Sequence, residues 1–151
     1  MPAITPFLWF DNQAEEAMNY YISIFKNGRV LNVYRRDGKV LTVEFELNGQ
    51  RIMALNGGPL FNFTEAISLF VSCDTQEEVD ELWEKLTAGG EESQCGWLKD
   101  KYGLWWQIIP KALLELLSDP GKSQAVFETM MKMKKIVIHD LKQAYEGKAA
   151  A

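Results

Sequence analysis

Residues 29–56 read RVLNVYRRDGKVLTVEFELNGQRIMALN. Two dipeptides, Asp37-Gly38 and Asn48-Gly49, divide this stretch into three segments. Both dipeptides are typical of two-residue hairpin turns, because both central positions of such a turn need a positive φ. In the middle segment, residues 43–47 (VEFEL) alternate between apolar and acidic side chains, which predicts a strand with one buried face. The stretch therefore predicts an antiparallel meander of three strands.

A strand and a helix are predicted before this meander. Residues 4–10 are mostly apolar, and from Asn12 the apolar residues recur at helical spacing. Asn12 with Glu15 predicts a capping box at the start of the helix. Asn27-Gly28 predicts a left-handed stop at its end. The first part of the chain thus reads as one βαβββ module.

The same order of elements then starts again. Residues 66–73 predict an apolar strand, and Thr75 with Glu78 predicts the capping box of a second helix, which Gly89-Gly90 ends. A second and tighter meander is predicted over residues 91–109. Aligning the acidic pairs at the starts of the two helices also aligns their apolar stripes, which indicates an internal duplication.

Three amphipathic helices are predicted after Pro110, which ends the sheet region. We expect one α+β domain with two tandem βαβββ modules that form a half-open mixed-sheet barrel, followed by a C-terminal helical arm. The expected boundaries within residues 1–151 are module one at about 4–56, a linker at 57–63, module two at about 64–110 and the arm at 111–147. The last four residues, 148–151, are expected to fray.

Composition excludes several classes of protein. The chain has 16 Lys and Arg residues against 21 Asp and Glu residues, for a formal net charge of −5. Such a field repels phosphate backbones and anionic lipid headgroups, so nucleic acid is not an expected partner. Residues 1–6 lack the basic region of a signal peptide, and no apolar run is long enough to span a bilayer. We therefore expect a cytoplasmic protein with no membrane contact.

Cysteine and histidine usage limits the possible metal chemistry. Cys73 and Cys95 are too few for a disulfide framework and form no CxxC pair, so free thiols are expected. The chain has a single histidine, His139, whereas two-His-one-carboxylate iron sites and His-rich zinc sites need more imidazoles. No metal of these classes is expected. A dyad of Cys95 with His139 is an unsupported alternative, since the two residues lie far apart in sequence.

The residues quoted above, together with CGWLKDKYGLWWQIIP at 95–110, resemble the PhnB-like branch of the vicinal oxygen chelate superfamily, which includes glyoxalases, bleomycin-resistance proteins and dioxygenases. Further matches are AEEA at 14–17, ALNGGP at 54–59 and EAIS at 65–68. The resemblance thus covers nearly the whole chain. Many proteins of this branch carry the label 3-demethylubiquinone-9 3-methyltransferase. This chain has no GxGxxG-like loop after a strand that would hold a methyl donor or nucleotide.

The resemblance also implies where a metal would be held. In the superfamily, His and Glu side chains from opposed strands bind a divalent ion inside the barrel. The last of these positions, four residues after the glycine of the final turn, is Gln107, and the fourth-strand position falls near Asn56. The first-strand and fifth-strand positions fall near Thr5 and on Ala66 or Ser68. Uncharged oxygen donors hold Zn, Ni or Fe poorly, so no metal or other cofactor is expected.

The candidate site residues follow from these positions and from the aromatic residues around them. Aromatic side chains offer contact area to a flat ligand at low entropic cost, although most of those in a small domain must belong to its core. The pocket candidates are Gln107, Trp105, Asn56, Ser68, Thr5, Phe7, Trp9 and Phe70. For Gln107 the alternative is an exposed amide, and for the Gly57-Gly58-Pro59 segment it is a plain linker.

Three functions remain open from the sequence. The first is a metal-free pocket that binds a small organic molecule, as the resistance proteins of the superfamily do. The second is a lyase, isomerase or dioxygenase-like enzyme, either metal-free or using a divalent ion held by Glu44, Glu46 or Glu65. The third is an interaction or regulatory module, because a helical arm after a complete sheet can form a dimer contact. A homodimer is the expected assembly by resemblance to the family.

Overall fold

The computed structural model of the chain describes residues 1–147, so the predicted fraying of residues 148–151 lies outside the described part. The chain divides into two compact units, Met1–Phe63 and a second that starts at Thr64. Each unit contains one four-stranded mixed sheet, and three helices follow the second sheet. The predicted α+β class, the repeated βαβββ order and the C-terminal helical arm are confirmed.

The first unit consists, in chain order, of β1 (Phe7–Phe10), α1 (Ala14–Ile24), β2 (Arg29–Arg36), β3 (Lys39–Leu47) and β4 (Gln50–Asn56). The order in its sheet is β1-β4-β3-β2, with β1 parallel to β4 and the other pairs antiparallel. Both predicted hairpin turns are present. Their central residues have positive φ, with 52° and 78° at Asp37-Gly38 and 46° and 86° at Asn48-Gly49. The turn residues therefore set the strand boundaries of the meander.

The start of α1 differs from its prediction. No side chain caps the helix at Gln13, so the predicted capping box of Asn12 and Glu15 is wrong. Instead, the side-chain Oδ1 of Asn56 accepts the N–H of Ala14 at 2.8 Å. A residue at the end of β4 thus satisfies one of the N–H groups that the first turn of a helix leaves without an intrahelical partner.

Strand alternation divides the first sheet into two different faces. One face packs against α1 and carries buried residues of the core. These are Leu8, Phe10, Val43, Phe45, Leu47, Ile52 and Ala54, together with Ala14, Ala17, Met18 and Tyr21 of the helix. Phe45 and the Tyr21 ring are stacked, with centroids 6.4 Å apart. Phe45 therefore belongs to the core.

The second unit contains β5 (Leu69–Cys73), α2 (Gln76–Thr87), β6 (Glu91–Glu92), β7 (Trp97–Lys99), β8 (Trp105–Pro110), α3 (Lys111–Leu117), α4 (Ser123–Met130) and α5 (Ile138–Tyr145). The order in its sheet is β5-β8-β7-β6, with β5 parallel to β8. The predicted cap of α2 by Thr75 is confirmed, since Thr75 Oγ1 accepts the N–H of Glu78 at 3.2 Å. The reciprocal bond differs from a capping box, because the Glu78 side chain accepts the N–H of Asp74 at 2.9 Å and not that of Thr75. The predicted strand over 91–97 is much shorter than expected. Cys95 and Gly96 form a turn there, with φ of 58° and 84°.

Asp100 fixes the hairpin between β7 and β8. Its side chain is 2% exposed, and its Oδ1 accepts the N–H groups of Tyr102 at 2.8 Å and Leu104 at 3.1 Å. Its Oδ2 accepts the indole N–H of Trp106 at 2.8 Å. Hydrogen bonds from three donors thus offset the free-energy cost of removing the carboxylate from water. Asp100 is therefore a structural carboxylate of this hairpin.

The helical arm packs on the end of β8. Ile109, Leu113, Val126, Ile136 and Leu141 form one buried cluster, with Ile109 4% exposed. The segment between α4 and α5 also pairs with the turn before β7, because the N–H groups of residues 95 and 96 donate to the carbonyls of residues 133 and 134 at 2.8 Å. The arm is therefore an integral part of the second unit. No helix within residues 1–147 is both long and apolar enough to cross a membrane.

The two cysteines are free and differ in accessibility. Cys73 is 1% exposed at the end of β5, and burial raises the pKa of its thiol to about 11, with Glu78 and Asp74 adding to the effect. Cys95 is partly exposed, its Sγ lies 3.5 Å from the sulfur of Met131, and burial raises its pKa as well. A raised pKa is the opposite of what a nucleophilic cysteine needs, which argues against the dyad with His139.

We predict that Asp100→Asn lowers the free energy of unfolding by about 2–4 kcal/mol, because the new side-chain amide places a donor against an N–H group inside the protein. Urea denaturation followed by circular dichroism measures this change. The matched control is Asp11→Asn, whose side chain is exposed and which we expect to change stability by less than about 0.5 kcal/mol. Equal stabilities of the two variants would contradict the role given to Asp100.

We also predict that a chromogenic disulfide reagent modifies Cys95 but not Cys73 in the native protein at about pH 8, because Cys95 is partly exposed and thiol reactivity depends on access as well as on ionisation. The reason is that Cys73 is both buried and protonated at that pH. Both thiols should react after denaturation. In a Cys95→Ser variant the native-state reaction should disappear, and its persistence would show that Cys73 is accessible.

Candidate functional site

A group of six side chains lies on one face of the second sheet, and we call this face the Gln107 face. Gln107 has Phe70 and Trp97 as its Cα partners on the neighbouring strands. Trp105 and its partner Lys99 lie two residues along, on the same side of the sheet. Ser68, just before β5, completes the group. Phe70 is 50% exposed, and the other five are half-buried.

Gln107 and Ser68 meet in this group. The side-chain Nε2 of Gln107 donates a hydrogen bond to Ser68 Oγ at 2.9 Å. The two residues are 39 positions apart in sequence, and the parallel pairing of β5 with β8 brings them together. Four of the eight pocket candidates thus lie on the Gln107 face, namely Gln107, Ser68, Trp105 and Phe70.

Burial of the opposite face of the same sheet determines the direction in which Trp105 and Gln107 point. Leu98, Trp106 and Ile108 are at most 2% exposed and pack on the side of α2. Because successive residues of a strand point to opposite faces, burial of Trp106 and Ile108 turns Trp105 and Gln107 the other way. Ile109 lies on the Gln107 face as well, but the arm covers it there. The arm therefore limits the accessible part of the face at one end.

Phe7 and Trp9 lie on the face of the first sheet that does not pack against α1. Phe7 is 50% exposed. Trp9 is held by the linker: its indole N–H donates to the carbonyl of Gly58 at 3.0 Å, and its ring contacts Phe61 edge-on at 4.9 Å. A Cβ on Gly57 would lie 2.3 Å from the Trp9 ring. Because glycine has no Cβ, the backbone at Gly57 can pass directly over the indole.

Asn56 and Thr5 have different surroundings. Asn56 lies on the helix-covered side of the first sheet, next to Phe10 in register, so the sheet separates it from Phe7 and Trp9. Its amide is occupied by structure, accepting from Ala14 and donating to the carbonyl of Val40 at 3.2 Å. Thr5 is half-buried and precedes β1. Asn56 thus has a structural task at the start of α1.

The residues at the superfamily's ligand positions do not fit a divalent metal. Thr5, Asn56, Ser68 and Gln107 offer only uncharged oxygens, and three of them already share hydrogen bonds with each other or with the backbone. Within residues 1–147, no group of three or more His, Cys, Asp and Glu side chains is arranged to hold a metal ion.

The carboxylates considered as substitute ligands have other surroundings. Glu44 lies 2.9 Å from the Nε of Arg51, and Glu46 lies 2.6 Å from the Nε of Arg29. These are cross-strand ion pairs on the side of the first sheet away from α1. Glu65 is exposed in the turn before β5. A metal at Glu44 or Glu46 would have to displace an arginine.

A depression of about 890 Å³ lies in the first unit, between the start of α1 and the β2–β3 hairpin. It is lined by Asn12, Glu15, Glu16, Arg36, Asp37, Lys39, Val40, Leu41 and Asn56. Most of this lining is charged or polar. Asn56 is therefore next to a charged depression, which differs from the aromatic pocket predicted from the sequence.

Two residues of the Gln107 face were not among the pocket candidates. Trp97 was assigned to a strand but not to a site, although its partnership with Gln107 would have selected it. Lys99 was missed too, and its Nζ lies 5.9 Å from the centre of the Trp105 ring and 3.4 Å from Glu91. Neither residue could be selected from the sequence alone, because the strand register depends on pairing between separate segments.

Comparisons with known proteins agree with this fold. The sequence model of the 3-demethylubiquinone-9 3-methyltransferase family matches residues 2–109. Among solved structures, the PhnB protein of Bacillus cereus is 38% identical, with a TM-score of 0.68 over 72% of this chain and 99% of that one. No curated protein matches the chain.

Two more distant structures are similar in fold alone. A glyoxylase/bleomycin resistance protein/dioxygenase domain from Frankia is 17% identical, with a TM-score of 0.51 over 73% of this chain and 92% of that one. The fosfomycin resistance protein FosX from Listeria monocytogenes, in complex with Mn(II) and sulfate, is 18% identical, with a TM-score of 0.51 over 70% of this chain and 87% of that one. The two distant structures show a fold shared with the vicinal oxygen chelate superfamily. The family match and the 38% identity to the PhnB protein show that the chain belongs to the PhnB-like 3-demethylubiquinone-9 3-methyltransferase family.

Proposed function

We propose that this chain binds a small organic molecule on the Gln107 face and does so without a metal ion. The observation that carries the proposal is the hydrogen-bonded pair of Gln107 and Ser68 among half-exposed aromatic side chains. Binding sites for small molecules typically combine apolar and aromatic walls with a few polar groups that orient the ligand. This face has both parts.

The uncharged amide supports the metal-free part of the proposal. At the position where the superfamily holds its last metal-binding carboxylate, this chain has Gln107, whose Nε2 donates to Ser68. An amide that donates to a neighbouring hydroxyl recognises polar groups of a ligand, whereas a metal ion needs an anionic or imidazole donor. The enzyme alternative through Glu44 or Glu46 is less favoured, because both carboxylates already pair with arginines.

The methyltransferase label of the family does not extend to this chain by itself. Methyl transfer needs a site for a methyl donor, and no glycine-rich loop of the GxGxxG type follows a strand in the sequence. The ionisable side chains that the structure places on the Gln107 face are Lys99 and its cross-strand partner Glu91, and these two lie 3.4 Å apart as an ion pair. Binding is therefore the function that these residues support best.

A fragment screen by NMR tests the proposal. We expect bound fragments to shift the side-chain resonances of Trp97, Trp105 and Gln107, and we expect Gln107→Leu to weaken the best fragment about tenfold, because one hydrogen bond is lost. Gln124→Leu, in the exposed part of α4, is the matched control and should bind as the parent protein does. Fragments that bind only at the charged depression of the first unit would contradict the proposal.

Metal dependence has its own test. Protein purified without chelator should contain far less than one equivalent of transition metal, and EDTA should leave fragment affinity unchanged. A ligand that binds only the native state raises the melting temperature of the protein. Because we expect no metal site, a series of divalent ions should produce no large thermal shift. Stoichiometric metal together with a large shift would favour the enzyme alternative instead.

The predicted homodimer also belongs to this proposal. The arm presents the large apolar side chains of Leu114, Phe127 and Met131 with about half of their surface exposed. Light scattering coupled to size-exclusion chromatography gives the molar mass in solution. A monomer at all concentrations tested would rule out the dimeric interaction module as a function.

A further inference from the structure

We propose that the ligand of the Gln107 face is an uncharged, planar molecule whose edge carries a carbonyl next to an N–H, as in a lactam, an imide or a primary amide. This inference rests on the proposed function and adds the chemical class of the ligand. The hydrogen-bonding capacity of Gln107 and Ser68 and the charges around them support it.

The capacity of Gln107 is only partly used inside the protein. Its amide has two N–H donors and one carbonyl acceptor, and within residues 1–147 the contact with Ser68 takes one donor. One N–H and the Oε1 oxygen remain for a ligand. A donor and an acceptor on one amide match a carbonyl and an N–H on one edge of a ligand. The hydroxyl hydrogen of Ser68 is a further donor beside them.

The aromatic neighbours favour a planar ligand. Trp97 and Phe70 flank Gln107 on its two sides, and Trp105 lies two residues away on the same strand. Flat rings bury their faces against such side chains in offset-stacked or edge-to-face arrangements. The arm covers Ile109 on the other side of Gln107. A ligand would therefore extend from Gln107 towards Trp105 and Ser68.

The charges on the face favour an uncharged ligand. Lys99 and its cross-strand partner Glu91 are the ionisable side chains of the group, and they neutralise each other, since the Nζ of Lys99 lies 3.4 Å from a carboxylate oxygen of Glu91. The same Nζ lies 5.9 Å from the centre of the Trp105 ring. Gln107 and Ser68 are neutral. A carboxylate ligand would lose its hydration against indole and phenyl rings and gain only dipoles and an already paired ammonium group. A neutral amide loses much less on the same transfer.

Three related compounds separate these properties. Oxindole is a flat bicyclic lactam with the carbonyl and N–H on one edge, N-methyloxindole has the same shape with its donor blocked, and naphthoate is flat but anionic. We expect oxindole to bind at least about tenfold more tightly than the other two, since a site built to hydrogen-bond a group rejects analogues that leave its polar atoms unpaired. Isothermal titration calorimetry measures the affinities, and chemical-shift mapping places the compounds.

Variants assign the preference to the amide. Gln107→Leu should abolish the difference between oxindole and its N-methyl derivative, while Gln124→Leu should retain it. Circular dichroism and thermal melting check that both variants fold. Because the readout is a ratio of two affinities in one protein, a general loss of stability would not imitate the expected result.

The outcomes distinguish this inference from the function on which it rests. Equal binding of oxindole and N-methyloxindole, or tightest binding of naphthoate, would overturn the lactam-type ligand while chemical shifts at Trp97 and Trp105 still supported a binding face. Failure of all three compounds to bind up to about 1 mM would also overturn it, because even weak fragments are detected in that range. The general fragment screen then decides the proposed function separately.

Discussion

The two faces of β8 depend on the carboxylate of Asp100. By accepting the N–H groups of Tyr102 and Leu104 and the indole of Trp106, it fixes both the turn before β8 and the first buried side chain of the strand. Once Trp106 points into the core, the pleat requires Trp105 and Gln107 to point away from it. A buried polar group thus determines which residues of β8 face away from the core, and a slip of one residue would exchange the two sets.

The parts of the fold that depend on local chemistry could be predicted from the sequence. The Asp37-Gly38 and Asn48-Gly49 turns need positive φ at adjacent residues, which few other dipeptides accept, and both turns are present. The cap of α2 is local as well. The cap of α1 was predicted wrongly because its partner, Asn56, is 42 residues away. Sequence spacing contains no information about such a partner.

The candidate site shows the same division. Counting four residues from Gly103 selected Gln107, which lies on β8. Its bond to Ser68 depends on the register between two parallel strands, which no local pattern specifies. Asn56 shows what the sequence left out, since its side chain accepts the N–H of Ala14 at the start of α1 and also lines the charged depression. The residue types in the sequence indicated which hydrogen-bonding groups were present, whereas the residues that these groups contact could be identified only from the structure.

The arm begins directly after the family match, which ends at residue 109, yet it buries the last side chain of that match. The helical arm, which limits the Gln107 face at this end, is consequently encoded by a separate, contiguous block of the gene. Mutations at exposed positions of the arm can change this end of the face while the buried cluster around Ile109 is retained. Selection for a new ligand and selection for a stable sheet can then proceed through different codons.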